Sequence, residues 1–172
     1  MSAPETVTAC DLPSAALLQR YRTAQGFADC YVVQVDRAVT LSQFIVAFYT
    51  TPLFKVERAI LKWFARRPST DADARALAAG ESEMFAAWRV EARANDQILL
   101  ADFLGRTRSW LMVESLEAGG TRLYFGSGIV PKVDKQTGQA SMGIAFNALL
   151  GFHHLYSRAL LAAARKRLQK QI

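Results

Sequence analysis

The feature that most restricts this chain is the spacing of four strand-like runs between Ser82 and Pro131. Residues 84–93, 97–103, 108–116 and 122–130 are joined only by short links built on Asn95-Asp96, Gly105-Arg106-Thr107 and Ala118-Gly119-Gly120. Links of this kind connect neighbouring antiparallel strands, because a parallel crossover needs about a dozen residues or more. The region therefore reads as a meander. No strand alternates with a helix here, which argues against a doubly wound α/β fold. The stretch 28–36 (ADCYVVQVD) is β-branched and aromatic and adds an earlier strand. Alternation pairs Trp88 with Val90, Leu99 with Phe103, Leu111 with Val113, and Leu123 with Phe125 and Ile129. A sheet patterned in this way must cover an apolar face.

The element long enough to cover it is the C-terminal stretch 144–172, which reads as one helix. At about 100° per residue, Phe146, Leu149, Leu150, His153, Leu160, Leu161, Ala164 and Leu168 share one side. His153 and Ser157, one turn apart, sit within that apolar side, while Arg158, Arg165 and Lys166 lie opposite. The covered interior is thus expected to hold some polar groups. Between the first strand and the meander, Thr40-Leu41-Ser42-Gln43 opens one helix, and Thr51-Pro52 caps a second over 52–67 with Leu53, Val56, Ile60 and Phe64 in one stripe. Thr70 to Asp73 resembles the cap of a short helix ending at Gly80, and 13–22 a short helix stopped by Gly26. Residues 132–141 read as a polar loop. The expected fold class is α+β: a curved antiparallel sheet wrapped on a long C-terminal helix, forming one domain over 12–172 after a mobile segment 1–11.

At 172 residues the chain is large enough to bury roughly two-thirds of its unfolded surface in one domain. Its net charge is +6, but Arg165, Lys166, Arg167 and Lys170 all fall in the last eight residues. The basic character reads as a solvated helix end that complements the helix dipole. A nucleic-acid partner, which calls for a basic face or interleaved aromatics, is not expected. Cys10 and Cys30 are too few and too far apart along the chain for a metal knuckle or redox pair. Residues 1–8 lack the charge and apolar run of a signal peptide, and no stretch reaches the roughly 18 to 20 apolar residues of a membrane span. The expected home is cytoplasmic, without integral membrane association. No cofactor is assigned, and the oligomeric state is open, a dimer included.

Among chemistry-bearing residues His153 stands first. A histidine on an apolar helical side can orient a ligand or move a proton near neutral pH, or simply bond a neighbouring strand. His154 lies about 100° further round, so the two are not expected to share a metal, and no metal site is assigned. Ser157 and Tyr156 offer further polar groups. Asp102 and Arg108 flank a turn and read either as an ion pair at a cavity mouth or as a solvated hairpin pair. Arg89 and Glu91 share a strand side expected to face water. Gly126-Ser127-Gly128 has the look of a phosphate loop without the helix such a loop needs, and strand glycines more often mark close approach of another part of the chain. No Gly-x-Ser-x-Gly elbow exists. Trp63, Trp88 and Trp110 read as core or cavity wall.

Ala28-Asp29 ahead of a strand, Gln97-Ile98-Leu99-Leu100, Arg122-Leu123-Tyr124-Phe125 and Gly151-Phe152-His153-His154-Leu155 together resemble the DUF2867 family of bacterial proteins. That family is related to the START-like or polyketide-cyclase-like (SRPBCC, Bet v 1-like) superfamily, and the resemblance covers roughly residues 27 to 167. It implies a helix-grip fold with a hydrophobic cavity and superfamily relatives that bind lipids, sterols or polyketides; it supplies no catalytic residues. The expected function is binding of a hydrophobic, amphipathic or lipid-like small molecule between sheet and helix. The expected walls are Trp88, Leu99, Leu111, Leu123, Phe125, Phe146, Leu150 and Leu160. His153, Ser157, Tyr156, Asp102 and Arg108 are the polar candidates. Two alternatives remain: a cyclase- or hydratase-like enzyme with His153 as acid/base assisted by Asp102 or Tyr156, and a partner-binding domain with no cavity.

Overall fold

The computed structural model describes residues 6–22, 26–56, 69–130, 132–133, 140–141 and 144–170, with side chains beyond residue 130 described from His153 onward. Most of the expected 52–67 helix, Trp63, and the side chains of Phe146 and Leu150 lie outside the described residues. The described chain is α+β. Strands β1 (Thr8–Ala9), β2 (Phe27–Val35), β3 (Met84–Phe85), β4 (Trp88–Arg93), β5 (Gln97–Asp102), β6 (Thr107–Ser115) and β7 (Thr121–Ile129) form a seven-stranded sheet in the order β1-β2-β7-β6-β5-β4-β3. Every pairing in it is antiparallel. Helices α1 (Leu41–Tyr49) and α2 (Asp71–Ala79) follow β2, and α3 (Ile144–Lys170) closes the chain. Among the described residues no helix is long and apolar enough to cross a membrane.

Local signals account for the helix ends. Thr40 and Gln43 form a reciprocal capping box at α1, as Thr70 and Asp73 do at α2, and Gly80 ends α2 in the left-handed region at φ 78°. Thr51 Oγ1 accepts from Phe54 N, capping a helical turn over 52–56. The meander holds with three departures. The run 84–93 is broken by a tight turn at Ala86-Ala87, with Ala86 at φ 52° and no glycine or asparagine to announce it. Residues expected as a polar loop supply a small hairpin, β8 (Lys132–Val133) against β9 (Ala140–Ser141). Within the stretch expected to be mobile, Thr8–Ala9 pairs with Val32 and Tyr31 at the sheet edge.

Both faces of the sheet are covered. On the inner face α1 and α3 pack over Tyr31, Val33, Val35, Ile98, Leu100, Leu111, Leu123 and Phe125, and α3 contributes Leu160, Leu161, Ala164 and Leu168. On the outer face the segment Leu12 to Tyr21, including a 3-10 turn at Leu17–Tyr21, packs over Cys30, Leu99, Trp110, Met112 and Tyr124. Leu99 is therefore not a cavity wall: β5 is buried on both sides, so apolarity alone could not assign its parity. Nor does the Arg89–Glu91 side simply face water. A register shift between Val90 and Ala92 turns Glu91 toward the covered face, where it accepts from Tyr21 and pairs with Arg108 at 2.7 Å. Gly126 and Gly128 serve that cover. A Cβ on Gly126 would come within 2.8 Å of Leu18 Cδ2 and 2.7 Å of the Asp29 carbonyl oxygen. The basic helix end is more than a solvated tail: Arg165 Nε donates to Gln34 O at 2.9 Å and Arg167 to Thr50 O at 3.0 Å, tying α3 to β2 and to the end of α1.

Candidate functional site

On the inner face, a cavity of about 210 Å³ remains between the sheet and α3. The sheet contributes Trp88 from β4, Thr107 and Ser109 from β6, and Phe125, Ser127 and Ile129 from β7. Phe48 of α1 and Phe54 close one end, and His153, Tyr156, Ser157 and Leu160 of α3 form the roof. The register explains the polar strip on the floor: Ser109 of β6 lies opposite Ser127 of β7, so their side chains emerge on the same face. Wider grooves of about 570 Å³ along Leu155 to Gln169 and about 520 Å³ beside Cys10 and Tyr124 are more open to solvent. The smaller cavity is the more enclosed, and an apolar wall with a few placed polar groups is the usual make-up of a ligand site.

The most organised polar group beside it is Asp29, which does not itself line the cavity but stands near the start of β2, paired in register with the lining residue Ser127. The Asp29 side chain is 9% exposed. Its Oδ1 accepts from Ser127 N at 2.9 Å, and its Oδ2 lies 3.1 Å from His153 Nε2 and 3.3 Å from the Tyr31 hydroxyl. His154 comes within 3.8 Å of the same oxygen and bonds the Tyr31 hydroxyl through Nδ1. Burial, reinforced by the Asp29 carboxylate, pushes the Tyr31 hydroxyl above its ordinary value, so it stays a neutral donor near pH 7. The carboxylate fixes the orientation of the His153 ring. With Nε2–H donating to Asp29, a neutral imidazole presents Nδ1 as its free acceptor. Elsewhere on the floor the Tyr49 hydroxyl and Ser109 Oγ bond each other at 3.1 Å. Among the described residues no group of three His, Cys, Asp or Glu side chains is arranged to hold a metal ion.

Of the residues singled out from sequence, His153, Ser157, Tyr156, Trp88, Phe125 and Leu160 all line this cavity. Leu111 and Leu123 sit on the same face but belong to the packed core and are not among the residues lining the cavity. Asp102 does not reach it. Its Oδ1 accepts from Arg106 N and Thr107 N at 2.6 and 3.1 Å, so it is the carboxylate that holds the β5–β6 turn. No Asp102–Arg108 pair forms. Arg108 borders the cavity, but its guanidinium goes to Glu91 and stacks over the Tyr21 ring at 4.6 Å on the outer side. Although His153 and His154 sit about 100° apart on the helix, both rings reach one carboxylate, because Asp29 lies across the interface from the first turns of helix beyond residue 152.

Sequence reasoning passed over Asp29 as chemistry, and Ser109, Ser127, Phe48 and Phe54 as walls. The signal for Asp29 was its position: a carboxylate entering an apolar strand, two residues before Tyr31, is unusual unless partnered. No protein-family model matches this chain, and no curated protein matches it.

Proposed function

We propose that this is a helix-grip protein of the START-like type, akin to the DUF2867 proteins, that binds a small hydrophobic or amphipathic molecule between its sheet and C-terminal helix. The observation that carries this reading is the partly enclosed cavity of about 210 Å³ roofed by His153, Ser157 and Leu160. Its aromatic walls supply apolar contact, and its few polar groups supply orientation. The test is native mass spectrometry of protein recovered from its own cells, beside a Leu160→Trp variant whose indole occupies the space. A compound retained by the wild type and lost from the variant supports the reading. An empty wild type that also fails to take up any apolar probe in titration rejects it.

The Asp29–His153 pair favours a second reading, a cyclase- or hydratase-like enzyme in the same cavity, with His153 moving the proton. Asp29, not Asp102, would then hold the imidazole. In that case His153→Asn abolishes turnover of the retained compound while leaving its binding nearly intact; unchanged binding with no turnover in the wild type removes this reading.

A further inference from the structure

Along the chain Cys10 and Cys30 are too far apart to suggest a metal knuckle or redox pair. The sheet brings them together. Thr8 lies opposite Val32 and Ala9 opposite Tyr31, so the same antiparallel register sets Cys10 opposite Cys30 one step further on. Cys10 N donates to Cys30 O at 3.0 Å, which carries the pairing to that position. Residues directly opposite on antiparallel strands turn their side chains to one face. Here it is the outer face, where Cys30 belongs to the buried cluster and Cys10 packs against it. The two sulfurs lie 3.3 Å apart, and both are free thiols. Opposite residues bonded through their backbones have Cα atoms about 5.5 Å apart, within the range a disulfide spans. The backbone is thus already at bridging distance. The sulfurs, at 3.3 Å, need to approach by only about 1.2 Å to reach the roughly 2.05 Å of an S–S bond. A shared metal ion would call for further ligands, and among the described residues no group of three His, Cys, Asp or Glu side chains is arranged to hold one.

The two thiols are unequally placed. Cys30 is buried, and Leu18 packs over its β7 neighbour Gly126. Cys10 is half-buried and borders the open groove of about 520 Å³ that Val32 and Tyr124 also line. A dissolved reagent therefore meets Cys10 first. The hydrogen bond with Cys30 holds the Cys10 thiol below its ordinary value, against the opposing effects of burial and the Asp11 carboxylate. The same bond, together with burial, pushes the Cys30 thiol up. Since the thiolate is the attacking form, Cys10 is the nucleophile and Cys30 the sulfur that closes on it. Cys10 also stands two residues ahead of Leu12, where the outer cover begins. A bond from it to Cys30, twenty residues on, would enclose the whole Leu12 to Tyr21 segment in one loop. Such a loop removes freedom from the unfolded chain and so stabilises the folded one.

We infer that Cys10 and Cys30 are a redox-active pair, which a small disulfide oxidises to an intramolecular bridge that fastens the outer cover to β2. Cys10 gives its proton to solvent, and the thiolate attacks one sulfur of the oxidant and expels one small thiolate. Cys30 then gives up its own proton, and its sulfur attacks Cys10 Sγ and expels the second. Two protein thiols are oxidised to one disulfide, and one small disulfide is reduced to two thiols that take up the two protons. The test incubates the full chain with oxidised glutathione. The intact mass is expected to fall by two hydrogens, both thiols to leave the labelling pattern together, and the urea midpoint to rise by about 1 M. Dithiothreitol should reverse all three. Cys30→Ala should stop at one glutathionyl group on Cys10, and Cys10→Ala should leave Cys30 reduced over the same period. Two thiols still titratable, a lasting mixed disulfide in the wild type, or a covalent dimer overturns the bridge. Oxidation of Cys30 in Cys10→Ala as fast as in the wild type overturns Cys10 as the attacking group. A bridge that leaves the urea midpoint where it was overturns the fastening of the cover.

Discussion

The two faces of one sheet are finished in opposite ways. On the outer face, Leu18 fits against Gly126 and Gly128, where any Cβ would collide with it. Gln97 there satisfies three partners at once: its Oε1 accepts from Leu17 N at 2.8 Å and from Trp110 Nε1 at 2.9 Å, and its Nε2 donates to Ala15 O at 3.1 Å. On the inner face, Trp88 Nε1 and Ser157 Oγ have no such answer, and a void of about 210 Å³ lies beside them. The same strands supply both faces, so strand composition is not the cause. The cover is. An irregular segment such as Leu12 to Tyr21 can bend to meet the sheet residue by residue, while a straight helix touches a concave surface along a band and leaves space beside it. Close packing is the rule inside proteins, so the gap beneath the last helix is the feature on which the proposed ligand site rests.

The comparison can be broken most forcefully at Gln97. Gln97→Leu keeps the volume but strips the acceptor from Leu17 N and Trp110 Nε1, both on the sealed face. A loss of about 2–4 kcal/mol is expected in a urea titration; a loss below about 1 kcal/mol would mean the Leu12 to Tyr21 cover contributes little. Next is Gly126→Ala, which sets a methyl 2.7 Å from the Asp29 carbonyl oxygen and 3.0 Å from Trp110. Overpacking of this kind costs about 1–3 kcal/mol, and a neutral result would show that the outer face is looser than its geometry. The smallest effect, and of the opposite sign, is expected at Ser157→Ala. Removing an unanswered hydroxyl should leave stability unchanged or raise it by up to about 1 kcal/mol, read from the same titration without ligand. A destabilisation matching that of Gln97→Leu would show the hydroxyl to be partnered in solution, and the contrast between the faces would collapse.

Much of this was legible along the chain, for reasons that differ by element. The meander was readable because links of two or three residues leave no other topology, and the caps at Thr40 and Thr70 because capping is a local reaction of a side chain with its own helix. The cavity side of α3 was readable at His153, Ser157 and Leu160 because a helix keeps its angular period whatever it packs on. Leu99 was misassigned because β5 is apolar on both faces, and a strand with no alternation has no readable parity. The turn at Ala86-Ala87 was missed because alanine at φ 52° is a strained choice that the surrounding pairing imposes. Asp102 and Arg108 were matched by sequence proximity, yet the register shift in β4 delivered Glu91 to Arg108 and left Asp102 to the turn.

By itself, then, the sequence determined most of the strands and helices, the antiparallel meander between residues 84 and 130, and which side of the last helix turns inward at His153, Ser157 and Leu160, since all three depend on periods and links a few residues long. Only the tertiary structure decided that Asp29 would meet His153 and His154 from more than 120 residues away, that two distant cysteines would lie side by side, and that a void of about 210 Å³ would remain between the sheet and the last helix. Those outcomes depend on strand register and on how well a cover follows a curved surface, and neither quantity is written in any local stretch of the chain.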